Sequence, residues 1–276
     1  MGQIRRRRKG ISPWIPNQHG AWAMLITPAI VGLVAAVVHG TTAQQGAGHW
    51  LAVVAVLLAW FLGYGSFFAF GLAVKARTWE RRRPYLTPCV CYGVPAAVLV
   101  GLVALVDAPW LLSWAVTYAP LLAIAAIETL RRRPRSTVSG VATTMAAALL
   151  VAAMVDLVGG PKAEGLAASA VLALYFTGSV PLVKSVIRQR GNDAYFAGSV
   201  AYHVLAVGAL ICLWVCARPS SVGMALGLGV LVAEAAYAVY FPLAQRRGAP
   251  VTAKKVGLAL APLGVAAGVA SLIIAV

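Results

Sequence analysis

The stretch "VKSVIRQRGNDAYFAGSVAYH", residues 183–203, places polar and basic side chains between two strongly apolar segments. Lys184, Arg188 and Arg190 precede a turn at Gly191 and Asn192. The chain has 276 residues, of which 61% are hydrophobic and only 11% charged. Because a helix needs roughly 20 apolar residues to cross a bilayer, the pattern predicts two membrane helices joined by a basic turn.

Apolar segments of this kind recur along the whole chain, and the mean hydropathy is +0.84. They lie at residues 21–40, 50–74, 88–106, 109–128, 138–158, 165–187, 195–216, 222–243 and 255–275. We therefore predict an all-α fold, a polytopic membrane helix bundle with nine transmembrane helices in residues 21–276. Residues 1–20 are predicted to be a basic cytoplasmic N-terminal segment, which we expect to be retained because no small-residue cleavage site follows its basic run.

Basic residues predict the orientation of the bundle, because cytoplasmic loops hold the excess of Lys and Arg. Alternate connections carry 21 of the 23 basic residues, and only Lys162 and Arg218 lie elsewhere. The basic segments are residues 5–9, 75–83, 131–135, 184–190 and 246–255. The N-terminus is therefore predicted to lie inside the cell and the C-terminus outside.

The formal net charge of +16 has an alternative interpretation, which is binding to nucleic acid. Here, however, basic runs flank apolar segments, where membrane orientation and attraction to anionic headgroups are sufficient to explain them. We therefore predict a membrane lipid as the partner and no nucleic acid.

Three polar clusters are candidates for a functional site, since no Walker A, dinucleotide-binding or H-E-x-x-H motif occurs. They lie at residues 16–25, 71–88 and 183–203. The topology predicts that all three face the cytoplasm and share one pocket. In that arrangement the second and sixth helices are neighbours at their inner ends, and Lys75 and Lys184 face a common cavity.

The third cluster has the spacing of an anion site. Lys184 and Arg188 are four residues apart and so lie on one helical face, while Tyr195, Ser199 and His203 repeat at the same interval on the next helix. Cations on one wall and hydroxyl and imidazole groups on the other would hold an anion. The alternative is that the cations only reach to the membrane interface and that His203 is a packing residue.

Lys184 and His203 favour the functional interpretation, because each lies inside an apolar span, where an ionisable group costs several kcal/mol without a partner or a cavity. Glu234 lies in the middle of the eighth segment and raises the same question. We predict that it is a packing or cavity partner of a Lys, Arg or His.

The first and third clusters resemble the YwiC-like family of bacterial integral membrane proteins. The resemblance rests on "PNQHGAWAML" at residues 16–25, on the run from Tyr175 to Asn192 that reads Y-F-x-G-S-V-x-x-V-K-S-x-I-R-x-R-G-N, and on "SVAYH" at residues 199–203. It implies a multi-pass protein of the bacterial cytoplasmic membrane and does not imply a particular reaction.

A more distant resemblance is to the UbiA-type intramembrane prenyltransferases, which also have nine helices and polar motifs after helices two and six. In those enzymes two aspartate-rich motifs hold magnesium and a prenyl diphosphate. The corresponding segments here are "VKARTWERRRP" and "VKSVIRQRGND", whose only acids are Glu80 and Asp193. Magnesium prefers several carboxylate and phosphate oxygens, so the resemblance implies a UbiA-like scaffold, whereas the missing aspartates lead us to expect no metal and no cofactor.

Two functions from different classes remain open. In the first, the protein binds a lipid phosphate or diphosphate, such as a polyprenyl phosphate, and as an enzyme it would be a metal-independent lipid-modifying transferase or lyase. Its predicted catalytic residues are His19 and His203, and its predicted ligand-binding residues are Lys75, Arg77, Lys184, Arg188, Asn192, Tyr195 and Ser199. In the second, it is a carrier or assembly factor for a small anion or lipid.

Overall fold

The protein is all-helical in the computed structural model, which describes residues 12–16, 19–42 and 47–276. Ten α-helices occur in these ranges. They are α1 (His19–Thr42), α2 (Ala47–Lys75), α3 (Trp79–Leu102), α4 (Ser113–Leu130), α5 (Thr137–Ala148), α6 (Leu150–Leu157), α7 (Lys162–Ile187), α8 (Asp193–Ala217), α9 (Ser221–Arg246) and α10 (Ala253–Ala275). A π-helical turn (Val103–Asp107) and a 3₁₀ turn (Pro109–Leu112) connect α3 to α4.

Within the described residues, nine helical spans are long and apolar enough to cross a membrane, which confirms the predicted fold class. The fifth span contains a break at Leu149, which divides it into α5 and α6. Ser169 of α7 compensates part of this break, because its Oγ accepts a hydrogen bond from the backbone N–H of Ala152 at 3.0 Å. The predicted boundary between the third and fourth spans, at residues 106–109, is a turn at Ala108.

One boundary differs clearly from the prediction. The third helix begins at Trp79 and not near residue 88, so the basic run at residues 81–83 is helical. Thr78 precedes it with an extended backbone, and Glu80 lies in its first turn. An acidic side chain in that position favours helix formation through the helix dipole, which explains why the helix extends past the apolar segment.

The bundle is organised around α7, the most buried of the nine spans. It packs against α5, α6, α8, α9 and α10, and its buried residues Val171, Leu172 and Phe176 belong to the main apolar core. Two hydrogen bonds join α7 to α10: Tyr175 Oη donates to the Leu260 carbonyl at 2.6 Å, and Ser271 Oγ donates to the Ala168 carbonyl at 2.9 Å. The element order therefore places α7 where several helices can reach it.

The outer surface of the spans is apolar. Val116, Leu105 and Leu205 are among the large hydrophobic side chains that are more than two thirds exposed. A soluble protein rarely presents such a surface, whereas lipid solvates it without cost. The described chain is therefore a multi-pass membrane protein.

The predicted contact between the second and sixth spans is wrong. α2 packs mainly along α3 and more weakly against α1, α4 and α6, and it is not packed against α7. Lys75 and Arg77 are exposed at the end of α2. The error has a physical cause: both helix ends carry basic residues, but charge at a helix end fixes its side of the membrane and not its neighbours.

The orientation is tested by reporter fusions at the ends of the spans. Fusions after residues 83, 135, 190 and 250 should report the cytoplasm, and fusions after residues 45, 107, 162, 219 and 276 the exterior, because the basic connections remain inside. Paired phosphatase and fluorescent-protein reporters measure both sides. A cytoplasmic reporter after residue 276 would contradict the predicted nine-span topology.

Candidate functional site

A largely apolar groove with a few polar side chains opens between α5 and α8 and has α7 as its floor. α5 and α8 both pack on α7 but not extensively on each other, which leaves a cavity of about 240 Å³. Its lining residues are Thr137 and Val141 of α5, Thr177 and Pro181 of α7, and Ala194, Tyr195, Gly198, Ser199 and Tyr202 of α8. We call this cavity the α5–α8 groove.

The polar end of the groove lies at the basic end of the bundle, the end that carries residues 75–83, 131–135, 184–190 and 246–255. Lys184 is half-buried and donates a hydrogen bond from Nζ to Thr137 Oγ1 at 3.1 Å. The same Thr137 Oγ1 lies 3.0 Å from Tyr195 Oη. These three side chains form a chain of hydrogen bonds across α7, α5 and α8 at the groove mouth.

Local sequence explains how α8 delivers its part of the site. Asn192 caps the helix, because its Oδ1 accepts a hydrogen bond from the backbone N–H of Tyr195 at 3.0 Å. Gly191 precedes it with φ +78°, a left-handed conformation that favours glycine. From this start, Tyr195, Ser199 and His203 follow at intervals of four residues and face inward, the last two fully buried.

A second cavity, also of about 240 Å³, lies between α8 and α9. Arg190 and Arg246 contribute cationic groups to it, with Gln189 and Gln245 beside them. Arg246 is already engaged, since it forms an ion pair with Asp193 and its guanidinium lies 4.9 Å from the centre of the Phe196 ring. Gln245 Nε2 donates to the Val186 carbonyl at 3.2 Å. These partners describe a stabilised helix junction more than an anion site.

Unlike Arg246, Lys184 takes part in none of the ion pairs among the described residues. Its only described hydrogen bond is to the neutral hydroxyl of Thr137. A cation in this position can still bind an anion strongly, since a charge-assisted hydrogen bond is roughly twice as strong as a neutral one. The groove mouth, where Lys184 bonds to the groove-lining Thr137, is therefore a candidate anion site.

Behind the groove wall lies a buried cluster of Ser199, His203 and Glu234, whose exposed fractions are 1%, 2% and 0%. Ser199 Oγ, His203 Nε2 and both carboxyl oxygens of Glu234 have no hydrogen-bond partner among the described residues. Buried polar atoms are nearly always satisfied, so these atoms make the cluster a candidate binding site.

Gly178 shows how close the cluster is. A β-carbon on Gly178 would lie 2.9 Å from Glu234 Oε2 and 3.0 Å from His203 Nε2. The carboxyl oxygen and the ring nitrogen therefore lie within about 6 Å of each other, a separation that one bridging water can span. Glu234 is thus beside a histidine, as the sequence predicted.

The remaining predicted residues are distributed as follows. Asn192 serves as a helix cap, and Arg188 is exposed at the C-terminus of α7 and lines neither cavity. His19 begins α1, but its side chain lies outside the described part of the structure. Lys75 ends α2 and Arg77 follows it, and the fold separates α2 from α7. The roles assigned to these five residues remain predictions.

Sequence reasoning missed Thr137, Thr144 and Thr177. Thr144 Oγ1 and Thr177 Oγ1 are 3.0 Å apart in the protein interior and join α5 to α7 at the groove floor. Threonines in apolar helices commonly bond to the preceding backbone turn, as Thr144 also does with the Gly140 carbonyl. Their sequence context therefore carries no signal that separates a site residue from an ordinary one.

The fold and site define a multi-pass α-helical membrane protein with a lateral groove, polar at its mouth, and a buried carboxyl–imidazole cluster. The model of the YwiC-like protein family matches residues 15–155. The chain is also 31% identical over 193 residues to the uncharacterized protein YwiC of Bacillus subtilis strain 168, an alignment that covers 69% of this chain and 74% of that relative. The chain belongs to the YwiC-like family. No solved structure matches it.

The family match does not reach the groove floor or α8, since it ends at residue 155. Of the residues at the groove mouth, only Thr137 lies inside the matched region. The likeness to UbiA-type enzymes stays a prediction.

Proposed function

We propose that the protein binds an anionic lipid whose phosphate or diphosphate headgroup lies at Lys184 and whose chain lies along the α5–α8 groove. The observation that carries the proposal is the half-buried Lys184 ammonium at the groove mouth, which has no carboxylate partner among the described residues. A buried or half-buried ammonium favours an anionic partner, because the pairing offsets its loss of water.

The hydroxyl groups at the mouth complement this charge. Thr137 lies 3.1 Å from Lys184 Nζ and 3.0 Å from Tyr195 Oη, so the three polar atoms converge on a small region. A phosphate oxygen there would accept hydrogen bonds from the ammonium and from at least one hydroxyl. Such charge-assisted contacts each contribute about 1.5 to 3 kcal/mol.

The rest of the groove suits an apolar chain. Val141, Pro181, Ala194 and Gly198 provide apolar lining, and Ala194 and Gly198 are also exposed on the bundle surface. The groove therefore opens sideways, toward the region where lipid would surround the spans. A lipid can enter by this route with its headgroup at the basic end, whereas a free soluble anion gains nothing from the apolar lining.

Lys184→Met is expected to weaken binding of a polyprenyl phosphate at least tenfold, because it removes a contact of more than about 1.4 kcal/mol. The binding is measured on purified protein in nanodiscs by native mass spectrometry and by titration with the polyprenyl phosphate. Lys255→Met is the matched control, since Lys255 is an exposed lysine at the basic end of α10. EDTA should leave the affinity unchanged.

The proposal fails if a folded Lys184→Met protein binds the polyprenyl phosphate with wild-type affinity. It also fails in its metal-independent form if EDTA abolishes binding and magnesium restores it. Equal losses in the Lys184→Met and Lys255→Met variants would show that the basic end attracts lipid phosphate without a specific site.

A further inference from the structure

The buried cluster of Ser199, His203 and Glu234 has a chemistry of its own, which goes beyond lipid binding. We propose that Glu234 and His203 form a proton-binding pair that holds one exchangeable proton and exchanges it with water in the α5–α8 groove. This pair is a second site, next to the proposed lipid site, and it does not depend on the proposed lipid binding.

The hydrogen bonds of the cluster show which of its atoms carry a proton and which are acceptors. His203 Nδ1 lies 2.7 Å from the Ser199 carbonyl oxygen. A carbonyl only accepts, so Nδ1 carries a proton and donates it, and in the neutral ring Nε2 is left as an acceptor. Both oxygens of an ionised Glu234 are acceptors as well. The cluster thus contains several acceptors and one flexible hydroxyl donor, that of Ser199.

The net charge of the buried pair favours the binding of one added proton. If Glu234 were ionised and His203 neutral, the fully buried pair would have a net negative charge with no cation beside it among the described residues. An isolated buried charge is very unfavourable. One added proton removes the net charge, whether it forms an O–H bond on Glu234 or an N–H bond on His203 Nε2. The two groups then titrate as a unit.

The surrounding titratable groups do not supply an alternative counterion. Tyr175 of α7 donates to the Leu260 carbonyl and Tyr202 of α8 donates to the Leu174 carbonyl at 3.0 Å. Tyr237 lies one turn from Glu234 on α9, and the lysines of α10, Lys254 and Lys255, lie in its first turn at the basic end. No described group of α5 facing the cluster is charged.

Protons can reach the Glu234–His203 pair from one side, which is the side of the groove. Ser199 lines the groove and is one turn from His203, and Thr177, the neighbour of Gly178, also lines it. On the other side the helices are tightly packed: a β-carbon on Gly227 would lie 3.2 Å from the Val171 side chain and 3.5 Å from that of Leu210. Protons therefore reach the pair from the groove, which suits a proton donor or acceptor for a bound ligand and not a channel across the membrane.

Infrared difference spectroscopy and NMR of ¹⁵N-histidine-labelled protein test the pair, both in detergent without added lipid. At neutral pH we expect either a carboxyl C=O band that Glu234→Gln removes, or an imidazolium signal of His203 that becomes neutral in Glu234→Gln. His203→Gln identifies the histidine signal. Glu80→Gln is the control, since Glu80 is exposed. The proposal would be overturned if Glu234 is ionised, His203 is neutral, and the His203 signal does not change in the Glu234→Gln variant.

The access route is tested by the rate at which the identified signal responds to transfer into D₂O. Gly198→Trp is expected to slow this response at least threefold, because Gly198 lines the groove and has open space around it. Gly208→Trp is the control, since Gly208 also has open space but lies farther along α8. Equal rates in both variants would exclude the groove as the route. Lys184→Met should leave the proton signal in place, so a failure of lipid binding and a failure of the proton pair are separable.

Discussion

Replacing Gly178 with valine is expected to destabilise the protein by about 3 kcal/mol or more, since overpacking a buried site by smaller groups already costs about 1 to 3 kcal/mol. The first added carbon would lie 2.9 Å from Glu234 Oε2 and 3.0 Å from His203 Nε2. Both side chains are at most 2% exposed, so they can move aside only within the packed interior. The unfolding free energy is measured in mixed micelles of a mild detergent and SDS.

A double-mutant cycle shows whether Glu234 is the residue that a side chain at position 178 would contact. Gly178→Ala alone should cost about 1 to 3 kcal/mol. Combined with Glu234→Ala, which removes the nearest atoms, its cost should fall by about 1 kcal/mol, the size of coupling found between residues in contact. Gly208→Ala is the control, because nothing lies within 4 Å of its added carbon. Strict additivity of Gly178→Ala and Glu234→Ala would contradict the described contact.

Gly223→Val is expected to have an effect of similar size by separating α9 from α10. An added β-carbon would lie 2.5 Å from Ile274 Cγ1 and 2.9 Å from the carbonyl oxygen of Ala270. A backbone oxygen cannot rotate away, so the helices must move apart and lose the close approach that small residues allow in membrane bundles. We expect a loss of about 3 kcal/mol, the upper end for overpacking.

Gly229→Val is the matched control, since it places the same side chain on the same helix where no atom lies within 4 Å of the added carbon. Ile274→Ala should restore only part of the stability of Gly223→Val, because the Ala270 carbonyl remains in the way. Equal stability of the Gly223→Val and Gly229→Val proteins would show that α9 and α10 are not packed as described.

Much of the site on α8 could be predicted from the sequence, because it depends on one helix. The four-residue interval of Tyr195, Ser199 and His203 places them on one face wherever that helix lies, and Ser199 and His203 are indeed buried. Lys184 was recognised as unusual for the same local reason, its position inside an apolar span. The partner that actually binds it, Thr137, lies 47 residues away on α5.

The prediction that Lys75 and Lys184 face a common cavity is wrong because it also depended on which helices are neighbours. Both residues follow apolar spans and both belong to basic clusters, so their local patterns are alike. Their surroundings differ because α2 packs mainly on α3, whereas α7 contacts six other helices. A pattern of charge along the chain contains no information about which helices are neighbours.

The sequence by itself determined the all-helical class and the number of spans, because insertion of a helix into lipid depends on a sum of side-chain transfer free energies within one segment. Tertiary structure alone decided which helices meet, and hence that Thr137, Lys184 and Tyr195 converge while Gly178 brings Glu234 against His203. Packing of membrane helices depends on the fit between similar apolar surfaces. Gly178 and Gly208 are therefore indistinguishable along the chain, yet only the first has two buried ionisable side chains against it.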